Sequence, residues 1–207
     1  MTKIEEPTSS VARRTSAKFV VAGGFGVGKT TFVGTISEIP PLRTEEHLTE
    51  AASDIDDVSV VKTKTSTTVA MDFGRINVGD SLMIYLFGTP GQMRFSFMWD
   101  TIVEGALGAV VLIDPRRLDE SYGSLDYFEQ RELPFVVVQN EFPDAEVLTQ
   151  VELRDYLAIA PEIPVTSVDA TDKESVKNAV TFLIDHLMQQ LATQGGKRKL
   201  RRKDLGR

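Results

Sequence analysis

One stretch, residues 23–30, constrains this chain more than any other. It reads GGFGVGKT, fits the pattern G-x-x-x-x-G-K-[ST], and follows the apolar run FVVA, which is typical of a buried strand. Glycines let successive backbone N–H groups wrap a polyphosphate without a Cβ in the way. The lysine adds a positive charge, the threonine hydroxyl can reach Mg²⁺, and the following helix directs its positive dipole end at the anion. The stretch therefore predicts a phosphate-binding loop.

Composition is that of one globular domain with tails, because 207 residues with 42% hydrophobic and 26% charged residues can form a sizeable core. The chain has no cysteine, which excludes disulfides and cysteine metal sites. Its net charge of -7 includes seven basic residues and one acidic residue in 197–207, so the body is acidic and disfavours nucleic-acid binding. No apolar run approaches a membrane span, and the first residues lack the apolar centre of a signal peptide. We therefore expect a cytoplasmic protein.

We predict three segments along the chain. Residues 1–16 are polar and show no helical or strand periodicity, so we expect them to form a disordered N-terminal segment, or lead. Residues 17–193 form the domain. Residues 194–207 follow a Gly-Gly break and are expected to form a basic disordered tail. The basic block from Lys197 to Lys203 is either solvated, bound to an anionic membrane surface, or bound to an acidic partner.

The alternation of strand-like and helix-like segments along the chain predicts an α/β fold with a mostly parallel, doubly wound sheet of six strands and about five helices. The segments 68–76 and 81–87 read as a β-hairpin, so one strand is antiparallel. Residues 43–53 read as a short helix and 54–64 as a mobile loop. A capping box at Thr149 and Glu152 opens one helix. An apolar stripe marks a final helix of about 20 residues, and we expect it to pack in the core (Val176, Val180, Leu183, Leu187 and Leu191). The predicted strands are 18–22, 68–76, 81–87, 107–113, 135–138 and 163–166.

The order of these motifs resembles the Ras-like small GTPases over residues 18 to about 192. The resemblance is closest to the MglA-type bacterial GTPases and the ATP/GTP-binding proteins of actinobacterial conservons. It is carried by GGFGVGKTT at 23–31, TVAMDFG at 68–74 and FGTPGQ at 87–92. It implies a six-stranded P-loop fold and a GTP/GDP molecular switch in bacterial signalling.

The resemblance also implies roles for single residues. Thr68 falls where switch I supplies a threonine to Mg²⁺ and the γ-phosphate, although Thr63, Thr65 and Thr67 lie close enough to serve. Gly91 falls where a backbone amide meets the γ-phosphate, and Gln92 where a glutamine orients the attacking water. The expected phosphate-binding residues are Gly23, Phe25, Gly26, Val27, Gly28, Lys29, Thr30 and Thr31.

Two positions depart from the family pattern. Gly88 stands where most P-loop NTPases have an aspartate that holds Mg²⁺ through water. We hypothesise that Asp72, an acid in an otherwise apolar strand, replaces it, so the expected metal site is Thr30, Thr68 and Asp72. In the base-reading loop the family pattern is Asn-x-x-Asp. Asn140 matches its asparagine, but Pro143 occupies the position of the aspartate, and Asp144 follows one residue after it. Either the loop shifts so that Asp144 reads the base, or selectivity for guanine over adenine is weak.

The third base contact is expected at Ser167 and Val168. Trp99 is expected to be a packing anchor of the helix after the Gly-Gln loop. An arginine that neutralises charge on the transferred phosphoryl group accelerates hydrolysis in small GTPases. No arginine lies between Asp56 and Asp72 in switch I, so we expect slow, partner-dependent hydrolysis, although Arg94 could fold into the site. A non-hydrolysing scaffold and an ATP-binding protein of the same fold are the alternatives. The resemblance implies a roadblock/LC7-type regulator and a histidine-kinase-like membrane protein as partners.

Overall fold

The computed structural model describes residues 15–40, 42–49 and 66–204, with the backbone alone at 42–49, 66–70, 93–94 and 194–204. The described strands form one seven-stranded sheet in the order β2-β3-β4-β1-β5-β6-β7. The strands are β1 Thr15–Gly23, β2 Leu42–Thr49, β3 Ser66–Val78, β4 Leu82–Gly88, β5 Gly108–Ile113, β6 Phe135–Asn140 and β7 Val165–Val168.

Strand β1 lies at the centre of the sheet, where it pairs in parallel with β4 on one side and with β5 on the other. Strands β6 and β7 continue the parallel sheet. Strand β3 is antiparallel to both β4 and β2, so it alone runs against the others among the described strands. Every residue of β5 and β6 is buried, as continuous apolar runs in a sheet covered on both faces require.

All six predicted strands are present, and the fold class is confirmed. The seventh strand, β2, corrects the prediction of a short helix at 43–53. Leu42 to Thr49 instead pair with β3 from Phe73 back to Ser66. The reason is that the edge of β3 offers a full ladder of backbone hydrogen bonds, which outweighs the weak local helix preference of this segment. The predicted loop at 54–64 lies outside the described residues.

The described residues contain five α-helices, as predicted. A first hydrophobic cluster joins α1 and α5 to one face of the sheet, and includes Phe32, Val176 and Leu183. A second cluster joins the other three helices to the opposite face, and includes Ile102, Phe128 and Leu153. The helices are α1 Lys29–Ile36, α2 Trp99–Val103, α3 Tyr122–Gln130, α4 Gln150–Leu157 and α5 Lys173–Asp204, with short 3-10 helices at Met93–Met98 and Leu118–Ser121.

The capping box on Thr149 and Glu152 is present at the start of α4. Within the stripe on α5, Val176, Val180 and Leu183 are buried in the core. Leu191 is exposed, so the stripe leaves the core before that residue. No helix within the described residues has the length and apolar character needed to cross a membrane.

Both predicted tails need correction at their inner ends. Strand β1 begins at Thr15, inside the predicted lead, and residues 1–14 lie outside the described part of the chain. Helix α5 continues to Asp204, through the Gly-Gly pair where we expected a break before a disordered tail. Each glycine costs a helix only about 1 kcal/mol, and the lysines, arginines and leucine that follow are good helix formers. Residues 205–207 are not described.

Candidate nucleotide site

The phosphate-binding loop connects β1 to α1 at the carboxyl end of the central strand. Its glycines at 23, 26 and 28 have positive φ angles of 138°, 73° and 104°. A Cβ on Gly23 would lie 2.4 Å from the carbonyl oxygen of Leu112, and one on Gly28 would lie 2.6 Å from Nδ2 of Asn140. Glycine is therefore needed at both positions for conformation and for space.

Lys29 lies inside this loop and is only 7% exposed. Its Nζ donates hydrogen bonds to the carbonyl oxygens of Gly23 at 2.8 Å and Gly24 at 2.7 Å. Burial lowers the pKa of Lys29 to about 8, although the charges of Asp72 and Glu120 partly oppose this shift. A buried ammonium group whose hydrogen-bond partners are neutral carbonyl groups is well suited to bind an anion.

Asp72 reaches the start of α1 from β3. The hydroxyl of Thr30 donates a hydrogen bond of 2.6 Å to Oδ2 of Asp72, which is 8% exposed. Asp72 also lies directly against Gly88, since a Cβ on Gly88 would be 3.0 Å from the Cβ of Asp72. A carboxylate thus stands beside the missing aspartate's position and touches the hydroxyl that was predicted to bind Mg²⁺.

The loop at 88–92 packs on the phosphate-binding loop. A Cβ on Gly91 would lie 2.6 Å from Nζ of Lys29 and 2.8 Å from the Cα of Phe25. The amide of Thr89 donates to the carbonyl oxygen of Val21, while its buried hydroxyl has no partner among the described residues. The two loops are therefore in direct contact at Gly91.

Trp99 anchors the far side of this loop. Its Nε1 donates to the carbonyl oxygen of Pro90 at 3.2 Å, and its ring stacks on Phe128 and meets Tyr127 edge-on. The packing role predicted for Trp99 is confirmed. Any displacement of the loop is thereby coupled to α2 and to the core of that face.

Gln92 follows Gly91 and precedes the 3-10 helix Met93–Met98, so it lies beside the contact between the two loops. The backbone of Thr68 pairs with His47 across β3 and β2. The side chains of Thr68 and Arg94 are not described, and Thr63 and Thr65 lie outside the described residues. The roles of Thr68 and Gln92 stay predictions.

A cavity of about 440 Å³ lies beside the phosphate-binding loop, at the carboxyl ends of β6 and β7. This volume is within the range of small-molecule sites. It is lined by Gly26, Gly28, Thr31, Asn140, Glu141, Phe142, Pro143, Val147, Asp169, Ala170 and Thr171.

Asn140 ties this cavity to the phosphate-binding loop. It is buried, its Nδ2 donates to the carbonyl oxygen of Val27 at 3.0 Å, and its Oδ1 accepts from the amide of Ala170 at 3.1 Å. One side chain thus connects three loops, and Asn140 lies at the cavity where the sequence pattern predicted a base contact.

Asp144 does not line the cavity. Its carboxylate accepts two hydrogen bonds from Nη1 of Arg116, at 3.0 and 3.2 Å, and its side chain is 71% exposed. The guanidinium of Arg116 also covers the ring of Phe142, 3.8 Å from its centroid. Asp144 is thus paired with Arg116 at the outer edge of the loop in this structure, and the two alternatives for the base-reading loop stay predictions. The carboxylates that line the cavity are Glu141 and Asp169.

The predicted third contact is displaced by two residues. Val168 is buried in the core, and the hydroxyl of Ser167 donates to Oε1 of Glu141 at 2.7 Å. The segment at the cavity is instead 169–171, where Asp169 accepts hydrogen bonds from the amide and hydroxyl of Thr171. Since β7 ends at Val168, the loop that can meet a ligand begins after it.

A cluster of charges next to the phosphate-binding loop was not predicted from the sequence. The buried carboxylate of Asp114, directly after β5, accepts hydrogen bonds from both Arg116 and Arg117. Burial alone would raise the pKa of Asp114, but these bonds more than offset it and hold the pKa below its usual value. Arg117 donates to the carbonyl oxygen of Phe25 at 2.8 Å and to Glu120 at 3.0 Å. The pair of arginines after a buried strand was the available signal.

No group of three or more His, Asp or Glu side chains in the described part of the chain is arranged to hold a metal ion by itself. Thr30 and Asp72 nevertheless bring two side-chain oxygens together next to the phosphate-binding loop. Such a pair suits Mg²⁺, which commonly uses one or two protein groups together with waters and phosphates.

Comparison with known proteins agrees with this geometry. A family model described as a conserved hypothetical ATP binding protein matches residues 21–190. An uncharacterised protein of Methanocaldococcus jannaschii is 29% identical over 131 residues, which are 62% of this chain and 72% of that protein.

Two solved structures share the fold. The cytosolic domain of the T. maritima FeoB iron transporter, in a GDP form, superposes with a TM-score of 0.60 at 16% identity over 84% of this chain. The match spans 64% of that structure's chain, which is less than two thirds of its length. The FeoB G-domain from Methanococcus jannaschii gives a TM-score of 0.56 at 13% identity, over 84% of this chain and 99% of that one. The chain is thus a nucleotide-binding P-loop protein with a GTPase-like fold.

Proposed function

The chain belongs to the family described as conserved hypothetical ATP binding proteins, and on that premise we propose that it is a nucleotide-dependent molecular switch. It binds GTP and GDP together with Mg²⁺, and it hydrolyses GTP slowly. The MglA-type and conservon resemblance, a signalling role and the two implied partners stay predictions, as does membrane attachment through residues 197–203.

The single observation that carries the proposal is the contact between Lys29 and Gly91. A phosphoryl group bound to Lys29 has to meet the loop at 88–92, because Gly91 packs directly against Nζ. The gain or loss of that group is then transmitted from Pro90 to Trp99 and onward to α2. Loops that are ordered by a γ-phosphate and released by its hydrolysis are the established basis of such switches.

Thr30 and Asp72 would hold the Mg²⁺ that accompanies the nucleotide. The ion supplies positive charge to the phosphates when it is bound. The observation in favour is that Asp72 is buried with a hydroxyl as its partner, in the space that Gly88 leaves open. Asp72 also opposes the depression of the Lys29 pKa, and so helps to keep the phosphate-binding ammonium protonated.

Gln92 is the residue we assign to orienting the attacking water. It directly follows Gly91, where the two loops touch, so its position depends on the same contact. Positioning by a glutamine alone supports only slow turnover in GTPases. A turnover near one per second without a partner would contradict this assignment.

Guanine is favoured by the two carboxylates that line the cavity. Guanine presents two adjacent N–H donors, whereas adenine presents one donor beside an acceptor. A carboxylate pairs with two donors, and Glu141 and Asp169 both lie at the cavity. A second candidate, an ATP-dependent protein, is favoured by the family description and by the pairing of Asp144 with Arg116.

The test is to titrate nucleotide-stripped protein with GTP, GDP and ATP, in Mg²⁺ and in EDTA, and to follow phosphate release. The proposal predicts Mg²⁺-dependent binding of GTP and GDP, ATP at least roughly tenfold weaker, and slow release of phosphate. Lys29→Ala is the control that should remove binding. Equal affinity for GTP and ATP would favour the ATP-dependent protein, and binding without any hydrolysis would favour a scaffold.

A further inference from the structure

We propose that Arg117 is a catalytic arginine that the chain supplies to its own site, where its guanidinium contacts the terminal phosphoryl group and stabilises the transition state. This inference rests on the proposed function, because it requires that the phosphate-binding loop holds a triphosphate that is hydrolysed.

The position of Arg117 is the first argument. Its Nη2 donates to the carbonyl oxygen of Phe25 at 2.8 Å, and a Cβ on Gly26 would lie 3.4 Å from that same nitrogen. The amides of Phe25 and Gly26 belong to the segment that wraps the phosphates. The guanidinium is therefore in contact with the very part of the loop whose N–H groups face a bound polyphosphate.

Two carboxylates, those of Asp114 and Glu120, hold the guanidinium of Arg117. The buried carboxylate of Asp114 accepts hydrogen bonds from Nε and Nη2 of Arg117, which fixes the orientation of the guanidinium plane. Nη1 of Arg117 forms an ion pair with Glu120, and these two side chains are 38% and 39% exposed. Half-exposed ion pairs are weak and easily exchanged. A phosphate oxygen can thus replace Glu120 while Asp114 keeps its hold.

Glu120 itself lies close to the loop, because a Cβ on Gly24 would be 2.7 Å from its Oε2. Glu120 also acts electrostatically on Lys29. A carboxylate that stands beside the phosphate position is repelled by a bound triphosphate, which would further release Arg117 from this pair.

The chemistry asked of Arg117 is charge stabilisation without proton transfer. Water attacks the γ-phosphorus, the bond to the β–γ bridging oxygen breaks, and its electron pair remains on the diphosphate. Both protons of the water leave with the inorganic phosphate, as H₂PO₄⁻. Arg117 stays protonated throughout and neutralises negative charge on the oxygens around the transferred group, as arginines do in other phosphoryl transfers.

Arg131 is the matched control. It is likewise 38% exposed and pairs with a carboxylate, that of Asp100. It directly follows α3 and precedes the amino end of β6, so it lies at the opposite end of the sheet from the phosphate-binding loop. The variants are Arg117→Ala, Arg117→Lys and Arg131→Ala.

Three readouts separate catalysis from folding and binding. Single-turnover hydrolysis of GTP and of ATP gives the rate, and calorimetric titration gives the affinity. Formation of a complex with the diphosphate and aluminium fluoride reports the transition-state geometry. We expect a wild-type rate on the order of 10⁻² s⁻¹, typical of GTPases with an arginine in cis, and a fall of roughly 10- to 100-fold in Arg117→Ala.

Arg117→Ala should change nucleotide affinity less than about threefold and should fail to form the aluminium fluoride complex, whereas Arg131→Ala should behave as wild type. Arg117→Lys should recover little of the rate, because lysine lacks the planar fork of donors. A wild-type rate in Arg117→Ala, or a loss of affinity equal to the loss of rate, would overturn this inference alone. Absence of hydrolysis in the wild-type protein would overturn the proposed function as well.

Discussion

Asp72 accepts a hydrogen bond of 2.6 Å from the hydroxyl of Thr30, although 42 positions separate the two residues in the chain. Strand β3 brings them together, because Phe73 pairs with Phe87 and this register sets Asp72 beside Gly88. The neighbouring strand thus places a carboxylate beside the position at the end of β4 where the aspartate is missing. An acid at position 88 and an acid at position 72 would compete for the same space.

Replacement of Asp72 should therefore weaken nucleotide binding most when Mg²⁺ is present. We expect Asp72→Asn to lower the affinity for GTP by roughly 10- to 100-fold in Mg²⁺, as for residues that support a metal ligand, and by clearly less in EDTA, where only the support of the Lys29 charge is lost. Asp80→Asn, at the exposed turn of the hairpin, is the matched control. Equal affinities for both variants in Mg²⁺ would show that Asp72 does not serve the metal.

Nucleotide affinity should fall as the pH rises above 8. In the free protein burial lowers the pKa of Lys29 to about 8, so the ammonium is protonated at pH 7 and mostly neutral at pH 9. A bound phosphate favours the charged form, so binding at pH 9 must take up a proton. The affinity should then fall by roughly tenfold per pH unit above 8. Calorimetry in buffers of different ionisation enthalpy would measure this uptake, and constant affinity from pH 7 to 9 would contradict the prediction.

Base selectivity should depend on Glu141 rather than on Asp144. Glu141 lines the cavity, whereas Asp144 is bound to Arg116 outside it. We expect Glu141→Gln to reduce the preference for GTP over ATP by roughly tenfold or more, since hydrogen bonds to charged groups are worth about 1.5–3 kcal/mol. Asp144→Asn should change it less than about threefold. Competition binding measures both ratios, and the reverse order of effects would show that Asp144 reads the base.

Removal of the Asn140 side chain should destabilise the protein as well as the site. Asn140→Ala loses two buried hydrogen bonds, those with Val27 and Ala170, and leaves both backbone partners unpaired. We expect a loss of about 2–3 kcal/mol in the free energy of unfolding, measured by urea denaturation. Asn77→Ala, on the exposed hairpin, should change it by less than about 0.5 kcal/mol. A loss no larger than that of the control would refute the role of Asn140 in connecting the loops.

Much of the fold was predictable because its signals are local. The glycine pattern of the phosphate-binding loop, the continuous apolar runs of β5 and β6 and the capping box at Thr149 each depend on neighbours in the sequence. Asp72 could be singled out for a similar reason, since an acid in an apolar strand demands a partner, and its hydrogen bond with Thr30 is such a partner, whereas its metal role stays a prediction. Strand β2 was missed because its pairing with β3 is decided by the edge of the sheet and not by its own residues.

The charged cluster was not placed at the site because the contacts that connect it to the two loops there are distant in the chain. Arg117 meets Phe25 across 92 positions, and Arg116 meets Asp144 across 28. Neither contact leaves a spacing that can be recognised. The displacement from Ser167 to Asp169 has another cause: only the end of β7 determines which residues reach the cavity.

The most direct test of the switch follows Trp99, the one tryptophan of the chain, while the protein is loaded with GDP or with a non-hydrolysable GTP analogue in Mg²⁺. We predict that its emission differs between the two nucleotides, because a γ-phosphate bound to Lys29 would meet Gly91, and the carbonyl oxygen of the adjacent Pro90 accepts a hydrogen bond from Trp99. The difference should disappear in Gly91→Ala and persist in Gly79→Asn, a change at an open turn. Identical emission with both nucleotides in the wild-type protein, at saturating occupancy, would contradict the switch.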